Sequence, residues 1–282
     1  MNDGFQRGSG AEAARRSRTP DRSTPVSLTP ERVAAAVRPE VMAFGDAFAR
    51  WPGTLRRARQ LGISSWTFHV AGWAGALGDV SAATVSSALG FLAPEAVAEG
   101  WDGVSRLVRP TEVAAASLAE CCRWGDEQLA ALPGVDRLAL LLDRAVEAAD
   151  ATGMPLFAAW RSMPRPAGAV GARAAVGLRL LREHVHGASL IAIRASGMTP
   201  LEAVLTTTDG EATAITCGWP PPYPPVGALV RRRFWADAAT DRLVSAAFGV
   251  LTPAEGGELV ELVGAARRQV TGTGTSTGWG AV

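Results

Sequence analysis

Apolar residues recur at helical spacing along most of the chain. Leu138, Leu141, Leu142, Ala145, Val146 and Ala149 follow the i, i+3, i+4, i+7 stripe of an amphipathic helix, with Asp136 as its expected cap and Gly153 as its expected stop. Val170, Ala174, Leu178, Leu181 and Val185 repeat the stripe, and Gly187 is expected to end that helix. A further helix is predicted from about Glu112 to Leu132, through Leu118, Trp124 and Leu129. Three starts carry a mechanical signature. Thr29-Pro30, Thr199-Pro200 and Thr252-Pro253 each place a hydroxyl at the cap and a proline at the first helical position, where its missing N–H costs nothing. Glu202 and Glu255 then stand three residues after their threonines, which completes a capping box. Strand alternation is hard to find, and the best candidate is residues 205–215, bent around Asp209-Gly210. The pattern predicts an all-α fold.

Proline and glycine divide the chain. Trp219 to Pro225 reads WPPPYPP, which cannot join a helix and favours an extended polyproline conformation. It is expected to link a helical body, residues 28–217, to a C-terminal helical unit, residues 226–270. That unit is too short to hold a core alone and should pack on the body. Residues 1–27 offer few large apolar side chains and are expected to be disordered, and the Gly/Thr-rich tail 271–282 to be flexible.

Composition narrows the function classes. With 48% hydrophobic residues, the chain can bury a real core. A formal net charge of +1 supplies no global attraction to nucleic acid or anionic membrane, so DNA binding would need a local patch. All 28 basic residues are arginine, which excludes Schiff-base chemistry by lysine. Cys121, Cys122 and Cys217 show no metal spacing and read as reduced thiols of a cytoplasmic protein. The segment 63–94 has Asp79 as its one formal charge, yet serines, threonines and glycines interrupt it, so buried helices are expected rather than a membrane span.

Several segments resemble an actinobacterial family of helical proteins described as carrying a helix-turn-helix fold. They are AGWAGALGDV (71–80), GFLAP (90–94), MPLFAAWRSMPRP (154–166), LREH (181–184), and the C-terminal FWADAATDRL and GVLTPAEGGEL (within 234–259). The resemblance implies a helical body with a winged-helix-like C-terminal unit. Phe234–Ala247 would stand in the place of a recognition helix, and 247–251 leave little room for a wing. Some positions depart from the family pattern. Arg38-Pro39-Glu40-Val41 replaces a Glu-Pro-x-His, Trp73 replaces an arginine, and Ser189 stands where a second histidine is usual, whereas Arg182, Glu183 and His184 match. A pocket built from these positions would have lost polarity and gained an indole.

The candidate chemistry gathers there. His184, Glu183 and His69 are the candidate acid/base groups. Trp66, Phe68, Trp73 and Trp160 could wall an aromatic pocket, with Arg161, Arg182 and Ser189 as polar ligand contacts. Taken singly, most of these residues have a structural role as well, such as a macrodipole contact for His184 near a helix C-terminus or a hydrogen-bonded core position for His69. No cofactor fingerprint and no metal pair is visible. These considerations favour a small-molecule-binding protein, extending to a cofactor-independent enzyme of specialised metabolism. They leave as alternatives a ligand-responsive helix-turn-helix regulator and a non-catalytic scaffold. Asp237 and Asp241 deny the expected recognition helix a basic face, so DNA is not expected as a partner, and a homodimer is left open.

Overall fold

A computed structural model describes residues 27–167 and 169–272. The chain is all-α, and no strand occurs among the described residues. The helices are α1 (Pro30–Ala49), α2 (Pro52–Gln60), α3 (Ser65–Ala74), α4 (Ala82–Leu89), α5 (Pro94–Ser105), α6 (Pro110–Leu129), α7 (Val135–Ala148), α8 (Pro155–Ser162), α9 (Val170–Ala195), α10 (Pro200–Leu205), α11 (Gly210–Thr216), α12 (Val230–Ser245) and α13 (Pro253–Gly272). Seven begin on proline, so those seven of the chain's 18 prolines serve as starts rather than breaks. The caps form as their chemistry requires. Thr29 accepts from the Arg32 amide, and the Thr199–Glu202 and Thr252–Glu255 pairs exchange both bonds of a capping box.

Helix α9 is the axle. It packs against α6, α7, α8, α12 and α1 and is buried on nearly every side. It runs on through Gly187, which was expected to stop it. A Cβ there would lie 2.7 Å from Met154 Cγ, so close approach, not termination, calls for glycine at this place. His184 therefore sits deep within the helix, and a macrodipole role at a C-terminus does not apply. Gly125 of α6 and Gly171 of α9 meet backbone to backbone where those helices cross. A Cβ on Gly125 would stand 2.5 Å from the Gly171 carbonyl oxygen.

Two other local expectations change. Residues 205–215 are helical, not extended, with a turn between α10 and α11. Gly210 permits that turn, because a Cβ would fall 2.2 Å from the Leu205 carbonyl oxygen. The cap position of α7 is Gly134 at φ +79°, which leaves Asp136 in the first turn, and Gly153 lies in the loop beyond the helix.

The C-terminal helices close the molecule, α12 against α9 and α1, and α13 against α1 and α7. Between them lie a 3-10 turn at Ala246–Phe248 and a short loop, with no wing. The proline-rich stretch is anchored: the Trp219 indole donates to the Phe91 carbonyl at 2.8 Å, and Trp219 and Tyr223 pack on Val204, Leu205 and Ala214. The segment before residue 27 and the tail beyond 272 lie outside the described residues. No helix among those described is long and apolar enough to cross a membrane. The three cysteines are free.

Candidate functional site

Because α9 is buried all round, its polar residues must be satisfied inside the protein. Glu183 is 1% exposed, and its carboxylate accepts from the Trp73 indole at 2.7 Å and from Arg182 at 3.2 Å. The Arg182 guanidinium lies 4.6 Å from the centre of the Trp73 ring and across Gly45 of α1, where a Cβ would stand 2.1 Å from its Nε. One turn earlier, Arg179 stacks on Trp160 at 3.8 Å and donates to Ser117 Oγ and the Gly72 carbonyl. Burial lowers the Arg179 pKa, with Cys121 and Glu183 opposing the shift.

These groups border a cavity of about 80 Å³, walled by Phe68, His69, Gly72 and Trp73 from α3, Thr54 from α2, and residues of α1, α6 and α9. Two donors there are unsatisfied, the Nε–H groups of Arg179 and Arg182, which are buried without a partner, while the Asp46 carboxylate also lines the cavity. Such groups are costly unless water or a ligand accepts from them. His69 lies between Trp66 and Trp73, each with its ring centre 5.7 Å away. Burial, then the charges of Arg182 and Arg179, lower its pKa to about 4, so it is neutral at pH 7. His186 continues the aromatic row, 4.9 Å from Trp73 and 5.5 Å from Phe91, and burial lowers it likewise to about 4.

The sequence-derived candidates separate into two groups. Phe68, His69, Trp73, Arg182 and Glu183 reach the cavity. Trp160 braces it from behind, its indole bonded to the Trp73 carbonyl at 2.8 Å, and Trp66 stands off, bonded to the Ala96 carbonyl. Arg161, His184 and Ser189 do not line it. Arg161 donates to the Ala149 carbonyl and lies over Phe157, and His184 packs on the same ring with its pKa lowered by burial. Sequence reasoning missed Arg179, Ser117 and His186. The one available signal was the density of polar residues on α9, which a single-faced helix would send to solvent.

A second feature lies outside the cavity. Helix α2 carries Arg56, Arg57 and Arg59 just after Arg50, and no acidic residue occurs from Ala47 to Gly78. Among the described residues, none of these four arginines makes an ion pair. The contrast with the other arginines is direct. Arg38 engages Asp237 and Asp241, Arg137 and Arg144 engage Glu255, and Arg173 engages Asp143. Helix α2 ends in a four-residue turn with Gly62 at φ +70°, and Ser64 then caps α3 by accepting from the Thr67 amide. A glycine-containing turn of this length between two short helices is one feature of a helix-turn-helix unit, and the turn between α4 and α5, with Gly90 at φ +57°, shares it. Helix α3 turns Thr67, Phe68, Val70 and Ala71 inward, so the exposed charge of the unit lies on α2.

Residues 34–223, more than half of the chain, match the model of a helix-turn-helix family. The chain belongs to that family. No curated protein and no solved structure matches it. Membership overturns two expectations. A helix-turn-helix family points to a DNA-binding regulator, so the first reading, a small-molecule-binding protein extending to a biosynthetic enzyme, gives way to the regulator that stood as its alternative. It also makes DNA the expected partner. Charge was weighed on α12, where Arg38 and Arg233 hold Asp237 and Asp241, but α12 lies beyond the matched span. The basic helix α2 lies within it.

Proposed function

We propose that the protein is a DNA-binding transcription regulator in which α2 and the turn to α3 meet the DNA backbone. The observation that carries this reading is a basic helix without ion-pair partners inside the span of a helix-turn-helix family. Arginines free of carboxylate partners can neutralise phosphates and release counterions without first breaking internal pairs. Exposed Ser64 and Ser65, at the start of α3, are the neighbouring polar groups. The cavity beside α9 is the ligand-responsive part, formed by Phe68, His69, Trp73, Arg182 and Glu183. Its unsatisfied guanidinium N–H groups favour a small acceptor-bearing ligand.

The test is fluorescence anisotropy on duplex DNA from upstream of the protein's own gene, and on an unrelated duplex of equal length, across a salt series. Tighter binding to the first, with affinity falling steeply as salt rises, is the expected result. Equal, salt-insensitive binding to both would sink the proposal.

A further inference from the structure

The cavity beside α9 has two unlike halves. Its apolar half is Phe44 and Phe48 of α1, Phe68 of α3 and Trp124 of α6, and the Trp124 ring centre lies 4.6 Å from Phe44 and 5.3 Å from Phe48. Its polar half is Arg179, Arg182 and Glu183. The two arginines stand three residues apart on α9, so they share a face of that helix. Each guanidinium already lies on an aromatic ring: Arg179 is 3.8 Å from the centre of Trp160, and Arg182 is 4.6 Å from that of Trp73. A stacked guanidinium keeps its in-plane N–H groups for hydrogen bonds. Nη1 and Nη2 of Arg179 donate to Ser117 and Gly72, and Nη1 of Arg182 donates to Glu183, whereas both Nε–H groups are buried without a partner.

We propose that this cavity binds a small monocarboxylate, whose oxygens accept from the Nε–H groups of Arg179 and Arg182 and whose short apolar tail lies among Phe44, Phe48, Phe68 and Trp124. Charge selects the anion. The buried wall sets two guanidinium groups against one carboxylate, Glu183. His69 is neutral at pH 7, and Cys121 stays a thiol, because burial pushes its pKa up to about 12. One positive charge is left over, and a buried charge without a counter-charge is costly. Asp46 is the other carboxylate on the wall, but it is exposed at the rim, where water screens it. Water can accept from the Nε–H groups but brings no charge, and a dianion overshoots the balance. A cation gains little, because guanidinium groups already occupy the Trp73 and Trp160 faces. Size selects a short acid. At about 10–15 Å³ for each water-sized sphere, the cavity of about 80 Å³ admits roughly five to eight non-hydrogen atoms. The site rests on the ligand-responsive reading of this cavity, not on DNA binding by α2.

Isothermal titration calorimetry on the full chain without DNA compares isovalerate with isovaleramide, which has the same shape and no charge, and with succinate, a dianion of similar size. Isovalerate should bind at least about tenfold tighter than either. Arg182→Gln removes one donor and the surplus charge, and should weaken isovalerate binding at least about tenfold. Asp46→Asn removes negative charge from the rim and should tighten it. Circular dichroism checks that both variants fold, and the comparison of acid with amide needs no variant. Isovaleramide or succinate binding as tightly as isovalerate would overturn the proposal. So would the absence of isovalerate binding at concentrations up to about 10 mM, or weaker binding by Asp46→Asn. Adding isovalerate to the DNA titration reads the regulatory role apart from the site. An acid that binds without changing DNA affinity leaves the site standing and removes the regulation; DNA binding without acid binding removes the site alone.

Discussion

The crossing of α6 and α9 makes a quantitative prediction about two glycines in helices. Alanine is ordinarily worth about 1 kcal/mol more than glycine inside a helix. At Gly125 the new methyl would stand 2.5 Å from both the Gly171 carbonyl oxygen and the Ala175 Cβ. Ordinary contact begins at about 3.4 Å, so the helices must part by nearly 1 Å, and no side chain can rotate away to relieve them. Overpacking of this kind costs up to about 3 kcal/mol, leaving a net loss of about 2 kcal/mol after the helix-propensity gain. For a protein of this size that is about 4–8 °C in Tm. Gly103 of α5 is the control. A methyl there meets Thr67 Oγ1 at 3.5 Å, an ordinary contact, so Gly103→Ala should raise stability by about 0.5–1 kcal/mol. Differential scanning fluorimetry and urea unfolding read both variants. If Gly125→Ala is as stable as the wild type, or the two substitutions shift Tm in the same direction, the crossing is not backbone-limited.

Other predictions follow from charge and burial. If all four arginines at residues 50–59 meet phosphate, the slope of log affinity against log salt is about −3.6, and Arg56→Gln/Arg59→Gln should reduce it to about −1.8; an unchanged slope places the DNA elsewhere. His69 and His186 fall from 6.5 to about 4 in the fold, so the unfolded chain takes up protons first. Their contribution is fully present above about pH 6.5 and is lost as pH falls toward 4, so the urea midpoint should drop across that window and drop less in His186→Asn. Burial pushes the Cys121 thiol up to about 12 and Cys217 up to about 11, and raises Cys122. At pH 8 a chromogenic disulfide should therefore label the native protein far more slowly than the denatured one, and rapid labelling of Cys121 would contradict its burial.

Signals that act within one turn of helix were legible in the sequence. The hydroxyl of Thr199 and the carboxylate of Glu202 need only each other, and they pair as their spacing implies. Features decided by a distant neighbour were not. Nothing local to Gly187 says that Met154 occupies the space its side chain would need. The expectation of a single buried face on α9 hid Arg179, because the middle turns of that helix, unlike its ends at Arg173 and Arg194, have no solvent face to which a guanidinium could turn. Half of the expected pocket assembled: α3 and α9 touch along Trp73 and Glu183, while Arg161 and Ser189 lie away from the cavity. The α2 cluster was legible as a run of arginines without acidic neighbours, but the overall charge of +1 drew attention away from it.

The turn at Gly62 joins the arginine-bearing helix to the one that walls the cavity. Thr54 contributes to the same cavity from α2, four residues after Arg50 and two before Arg56. If DNA binding and cavity occupancy are coupled through this unit, the coupling must be reciprocal. A ligand that tightens the protein's hold on its operator by some factor must itself be held tighter, by that same factor, once the operator is bound. The two affinities can be measured separately, and their agreement would give the worth of this short hinge as a single free energy.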